Sequence, residues 1–358
     1  MSLHAIADRR RFLALTLGGA AALAWSGSAS AQSAPPPVRR RAAVDEHSVT
    51  SAVRVEVKAR PLPSFDLRDR THLRFGMLQY RSGVALTSAF PGFGGLSGIR
   101  LDAKGERFLA ISDKGGWFTG RIVYSGREIA GLAEVEAAPL LGPDGRPITE
   151  RGWYDSESLA RDGDIVYVGL ERVNQLLRYD FAKGGTGARS EILPLPAAAK
   201  RLPNNKGLEA LVVVPKGLPL AGTLIALSER GLDANGNLLA FLIGGPAAGQ
   251  FSIIRSNDFD VSDAVLLPSG DLLVLERKFS LFNGVGIRIR KLALSQIAPG
   301  ALVDGPAIFS ADLGQEIDNL EGIDAHVTPE GETVLTLVSD DNFSMIQRTL
   351  LLQFTLVE

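Results

Sequence analysis

No cysteine occurs in the 358 residues, and that one absence removes disulfides, thiolate nucleophiles and zinc sites with sulfur ligands. Histidine is nearly as scarce. Of the four present, His4 lies in an N-terminal leader, His47 in the spacer behind it, and His72 ahead of the first strand pattern. Only His326 is left for a triad, and on an inner-strand pattern it reads as a satisfied core histidine rather than a base. Charge of one sign is also lacking: Lys and Arg total 38, Asp and Glu 40, with a formal net charge of −2. No global field therefore invites nucleic acid. There is no Gly-rich phosphate loop, no HExxH and no basic stripe. Apolar spacing of helical period does not persist anywhere; short apolar runs are punctuated by Gly, Pro, Asn and Asp, the texture of an all-β chain.

The leader has its own chemistry. Asp8-Arg9-Arg10-Arg11-Phe12-Leu13 resembles the twin-arginine export motif, an apolar run from Ala14 to Trp25 follows, and Ala29-Ser30-Ala31 offers a small-residue cleavage site. The run is shorter than the ~20 residues that span a bilayer, so no stable membrane span is expected after cleavage. Residues 1–31 read as the signal, 32–50 as a flexible spacer with Pro35-Pro36-Pro37 and Arg39-Arg40-Arg41, and 51–358 as one domain of a periplasmic or secreted protein.

That domain repeats a two-strand cassette. Leu96-Ser97-Gly98-Ile99 leads through a turn to Ala110-Ile111-Ser112-Asp113-Lys114; Ser156-Glu157-Ser158-Leu159 leads to Val168-Gly169-Leu170-Glu171-Arg172. Gly207-Leu208-Glu209-Ala210-Leu211 leads to Leu227-Ser228-Glu229-Arg230, Val261-Ser262-Asp263-Ala264 to Leu275-Glu276-Arg277, and Leu320-Glu321-Gly322-Ile323 to Val338-Ser339-Asp340-Asp341. The copies are spaced by roughly fifty residues, with two further strand-like runs between them, which is one blade of a β-propeller per copy. Five blades are expected, with six possible if residues 50–95 or 120–155 conceal another. The last copy runs out of chain after three strands, so a strand from residues 73–86 is expected to close the ring.

In such a blade the start of the first strand lies beside the end of the second. Aligned on their acids, the cassettes put Asp113, Glu157, Glu171, Glu209, Glu229, Asp263, Glu276, Glu321 and Asp340 at one channel mouth. Like charges so crowded are relieved by protonation, partner cations or a metal. Lys114, Arg172, Arg230 and Arg277 each follow a second-strand acid; in blade five Asp341 stands there instead, so Glu321, Asp340 and Asp341 read as the best cation site. Hard oxygen ligands suit Ca²⁺ or Mg²⁺. The alternative is a structural role for the recurring acid–base pairs, stitching blades together, in a propeller that binds a ligand or protein without turnover.

Weaker motifs add little. Gly95-Leu96-Ser97-Gly98-Ile99 lacks the second Gly and the following helix of a nucleophile elbow. Asp233-Ala234-Asn235-Gly236-Asn237 lacks the closing Glu of a calcium loop and reads as a hairpin turn at Asn235-Gly236.

Taken together, Phe93-Gly94-Gly95-Leu96-Ser97-Gly98-Ile99, Ala110-Ile111-Ser112-Asp113-Lys114-Gly115, Gly207-Leu208-Glu209-Ala210-Leu211 and Asn319-Leu320-Glu321-Gly322-Ile323 resemble the phytase-like family described by an esterase-like activity of phytase, over about residues 70–356. The resemblance implies a phytase-like propeller that hydrolyses phosphate or other esters of a small-molecule substrate with calcium in an acidic channel mouth. It implies that Glu209, Glu229, Glu321 and Asp340 hold the metal that activates water, and that Lys114, Arg172, Arg230 and Arg277 grip phosphate. A lactonase-like propeller, with one metal at a carboxylate-lined mouth, is the third possibility.

Overall fold

In the computed structural model, which describes residues 47–280 and 284–357, each cassette is the inner half of a blade. Blade one comprises Leu96–Leu101, Arg107–Ser112, Gly116–Ser125 and Glu128–Pro139, with Val53–Arg54 on its outer edge. Blade two is Ser156–Asp162, Ile165–Leu170, Gln175–Asp180 and Ser190–Leu193. Blade three is Leu208–Val213, Leu224–Leu232, Leu238–Ile243 and Gly249–Ile253, extended by Leu302–Val303 in parallel. Blade four is Asp260–Leu266, Asp271–Ser280, Gly284–Ala293 and Ala307–Asp312. The stretch 120–155 conceals no sixth blade, because its first half completes blade one. The signal peptide, and the spacer up to residue 46, lie outside the described residues. At its end Val49 is buried against blade one, in contact distance of Gly116.

Blade five closes the ring as expected. Its strands Asn319–Val327, Thr333–Asp340 and Thr349–Leu356 are joined by Leu78–Ser88 from near the start of the domain, Leu352 opposite Gly83, and Val57–Pro61 adds an outer edge. Closure packs blade five against blade one, so the apolar faces that an open repeat array would expose at its two ends cover each other.

The alternation of each strand supplies both faces of a blade with apolar side chains, and the core is accordingly five clusters, one at each blade interface. Leu159 and Val168 meet Ile111 and Trp117 between blades one and two; Val84, Leu86 and Leu351 meet Ile99 and Ala110 between blades five and one. Burying one such Leu or Ile contributes about 1.5–3 kcal/mol before entropy is counted, so the ring is held chiefly by these seams. The Asn235-Gly236 turn is present as read: Asp233 accepts hydrogen bonds from the backbone N–H groups of Asn235 (2.8 Å) and Asn237 (2.9 Å) and from Ser252 Oγ (2.7 Å). No helix among the described residues is long and apolar enough to cross a membrane.

Candidate functional site

Every inner strand carries a β-bulge near its start, and the bulged residue is the one the cassette offers to the channel. In blades one, two, three and five that residue is Ser97, Glu157, Glu209 and Glu321. A bulge inserts one unpaired residue and re-aims its side chain, which is how an acid in a strand that is otherwise apolar reaches the channel mouth without displacing a core residue.

Blade four departs from the expected alignment by one residue. Val261 pairs with Glu276 and Asp263 with Leu275, so the bulged residue is Ser262, not Asp263. The same shift puts Arg277, not Glu276, beside Asp113, Glu171, Glu229 and Asp340 at the ends of the second strands. Matching the acids obscured this; matching the apolar residue before the bulge (Leu96, Leu208, Val261, Leu320) gives the observed register.

The displaced acids have other partners. Asp263 sits where the other blades carry Gly98, Ser158, Ala210 and Gly322, deeper in the channel. It receives both terminal nitrogens of Arg100 from blade one (2.9 and 3.0 Å) and the backbone N–H of Ile323 from blade five (2.9 Å). Arg100 also donates to the carbonyls of Ile99, Leu211 and Ile323, so one buried guanidinium ties together four of the five blades. Glu276, 0% exposed, is chelated by Arg288 (2.7 Å) and Arg290 (2.5 Å) inside its own blade. Asp341 is a turn clamp: its carboxylate accepts from Gly95 N–H (3.0 Å), Phe343 N–H (3.1 Å) and Thr349 Oγ1 (2.9 Å). Gly95 has φ +59°, and a Cβ there would stand 2.2 Å from Asp113 Oδ1, so the Gly94-Gly95 motif is required by packing between blades one and five.

The mouth is a cavity of about 840 Å³, lined among others by Asp113, Glu157, Glu171, Glu209, Glu229, Glu321 and Asp340. Seven of the nine expected acids therefore converge. Arg277 is the ring's one base: it donates to Glu321 and Asn319 and lies 3.6 Å from Glu229. Residues that the sequence reading passed over also line the cavity. Lys206 bonds Glu229 at 2.5 Å, Asp260 holds Arg230 (Nε at 2.8 Å), and Asp155 sits in a left-handed turn with φ 60°. Asn205-Lys206 stood in plain view before the blade-three bulge, whereas nothing in the sequence marks Asp155. Of the expected phosphate-gripping bases, Arg230 and Arg277 line the cavity. Lys114 instead pairs with Asp113 (3.2 Å), and Arg172 lies over the Tyr154 ring. His326 is at the far end of its strand, against Gly105.

Glu171, Glu209 and Glu229 each offer an oxygen within 4.8 Å of the others. Glu171 accepts from Gly207 N–H (2.8 Å) and Glu229 from Lys206. Glu209, only 6% exposed, has no hydrogen-bond or ion-pair partner among the described residues. Burial, reinforced by the neighbouring carboxylates, pushes Glu157, Glu209 and Asp340 well above the ordinary range. Burial likewise raises Asp113 to about 6 and Glu171 to about 7.

These shifts predict a pH dependence. The folded protein keeps protons that the unfolded chain has released, so the contribution is complete below the ordinary carboxylate values of 3.8 and 4.5 and is lost as pH rises through about 6 and 7. Metal-free protein is expected to melt at a higher temperature at pH 5 than at pH 8, and added calcium should restore the loss at pH 8. Calorimetric melts at the two pH values, with and without calcium, check both signs.

No curated protein shows significant sequence similarity to the chain. Among solved structures, a glutaminyl cyclase from Myxococcus xanthus is 12% identical over 74% of this chain and 92% of its own, with a TM-score of 0.38. The Pan2 WD40 domain of Neurospora crassa is 12% identical over 80% and 98%, also at 0.38. A protein of unknown function from Bacteroides caccae is 11% identical over 70% and 71%, at 0.31. A family model described as phytase-like, esterase-like activity of phytase, matches residues 91–343, from the Gly94-Gly95 turn through the last acid of the ring. The chain thus belongs to the phytase-like family.

Proposed function

We propose that the protein is an exported, metal-dependent hydrolase of phosphate or other esters, acting at the carboxylate-lined mouth of the channel. The observation that carries this reading is Glu209: buried and unpartnered, its carboxylate is grouped with those of Glu171 and Glu229 on the cavity wall. A buried carboxylate without a counter-charge is unfavourable by several kcal/mol, and a hard divalent cation, Ca²⁺ first, is the partner that three carboxylate oxygens fit.

Glu171, Glu209 and Glu229 would hold the ion, with Glu157 the next carboxylate along the ring. A bound divalent ion there would polarise an ester oxygen and lower the pKa of an attacking water. The chain's own groups do the rest. Arg277 and Asn319 hold Glu321 in place, and Lys206 and Gly207 N–H orient Glu229 and Glu171. Asp113, raised to about 6, lines the same cavity and can hold or release a proton near neutral pH. No side-chain nucleophile is required. The twin-arginine motif supports export to the periplasm or beyond.

A second reading draws on Arg277, which bridges acids of blades three and five, and on Arg230–Asp260 between blades three and four. Such pairs also suit a ring that binds a ligand without turnover. To separate the two, protein purified without chelator should be assayed for bound metal and screened on phosphomonoesters, carboxyl esters and lactones, with calcium and with chelator. Stoichiometric calcium and chelator-sensitive turnover are expected. Calcium at about 100 times its Kd should also add about 2.7 kcal/mol of stability. Bound metal with no turnover on any ester would favour the binding propeller, and absence of metal dependence would sink the first reading.

A further inference from the structure

The mouth has two chemically different walls. Around blades two and three its lining is polar, with no apolar side chain; towards blades four and five the carboxylates Asp260, Asp318, Glu321 and Asp340 are joined by the apolar side chains Phe279, Val285, Leu313, Ile317 and Ile346. Of these, Phe279 is 75% exposed, Leu313 58% and Ile346 91%. Apolar side chains left in water and gathered on one side of a cavity mark a surface that a ligand covers. They come from the end of one blade-four strand, the start of the next, the loop that follows blade four, and the loop inside blade five between Thr333–Asp340 and Thr349–Leu356, so no local accident of sequence put them together.

The charges lining the cavity point the same way. Ten carboxylates face four bases, and each base is already engaged: Lys206 by Glu229, Arg230 by Asp260, Arg277 by Glu229 and Glu321, and Lys278 over the Phe259 ring. A polyanion approaching this mouth finds no uncommitted guanidinium to bind it. We infer that the substrate is an uncharged ester carrying a hydrocarbon group, whose ester function faces the Glu171–Glu209–Glu229 cluster and whose hydrocarbon chain lies on the Phe279–Ile346 wall. This rests on the hydrolase reading for the fate of the ester but not for the binding of the chain.

The test uses the mature protein with calcium and the p-nitrophenyl esters of acetate, butyrate and octanoate beside p-nitrophenyl phosphate. Within the length the wall can cover, kcat/KM is expected to rise about fourfold per added methylene, and the phosphate ester should be the poorest substrate. In Phe279→Ser/Ile346→Ser the slope with chain length should flatten while the melting temperature holds. Calorimetric titration with octanamide and acetamide reads the wall without any reaction. Octanamide should bind more tightly than acetamide, and the double variant should lose the difference. If no ester turns over but octanamide binds in this way, the hydrolase reading fails and the apolar wall stands. A flat slope in the parent protein, preference for the phosphate ester, or octanamide binding that the double variant leaves unchanged overturns the inference. So does sedimentation with neutral phospholipid vesicles, abolished by the same substitutions, in the absence of octanamide binding.

Discussion

Arg100→Met is expected to lower the unfolding free energy by about 3–5 kcal/mol, the cost of leaving one partner of a buried ion pair uncompensated. Arg100 is the fold's central fastener. Its guanidinium reaches Asp263 across the channel and donates to carbonyls on four inner strands, those of Ile99, Leu211, Ala264 and Ile323. Methionine fills much of the space and supplies none of the donors, so Asp263 keeps the Ile323 N–H and loses its cation. Asp324, which accepts from Leu101 N–H (2.5 Å), also loses the nearby positive charge that opposes its rise to about 6. Urea unfolding at equilibrium measures the loss as a shift in midpoint at constant slope. Adding Asp263→Leu should recover part of it, because removing both charges eliminates the stranded carboxylate; the carbonyls Arg100 served stay unmatched, so recovery stops short of the parent. A single-variant loss below about 1 kcal/mol, the median for exposed pairs, would show that water reaches this point of the channel.

Glu209→Gln is expected to abolish calcium-induced stabilisation and to reduce turnover by more than the about 10–100-fold that follows loss of a residue merely supporting a metal ligand. The replacement keeps size and shape but removes the charge that the cluster with Glu171 and Glu229 offers a cation. In metal-free protein at pH 8 the sign reverses: the variant should be no less stable than the parent, since the carboxylate it replaces is raised by burial and by Glu157, Glu171 and Glu229. Melts with calcium titrated into parent and variant give both quantities. If the variant is destabilised without metal and still responds to calcium, Glu209 is a structural acid and the metal lies elsewhere.

The blade count and the closing strand were legible because both are set by period: four strands per blade, and one strand wanting at the end. The register in blade four was not. Period-two alternation breaks at a bulge, and with one extra residue in every inner strand the text can be aligned on the acid or on the apolar residue before it. In blades three and five, which carry both markers, the two choices agree. In blade four they differ by one, which moves Asp263 and Glu276 out of the mouth and brings Arg277 in. The apolar wall was hidden for a different reason. Phe279, Leu313 and Ile346 look like ordinary strand-end and loop hydrophobics until the ring brings them to one rim. The pairing of Lys206 with Glu229 is likewise a tertiary fact, although Lys206 immediately precedes the cassette that carries Glu229.

The strand Leu78–Ser88 that completes blade five has a kinetic consequence. Gly83 pairs with Leu352, a contact between opposite ends of the domain, so blade five cannot be finished until nearly the whole chain has left the ribosome. High contact order of this kind slows folding, because loop-closure entropy is spent long before the final pairing returns it. Until then Thr349–Leu356 has an open edge, the feature through which partly folded β chains associate with one another. The same clasp that gives the finished ring no loose end makes the nascent chain wait longest for its protection.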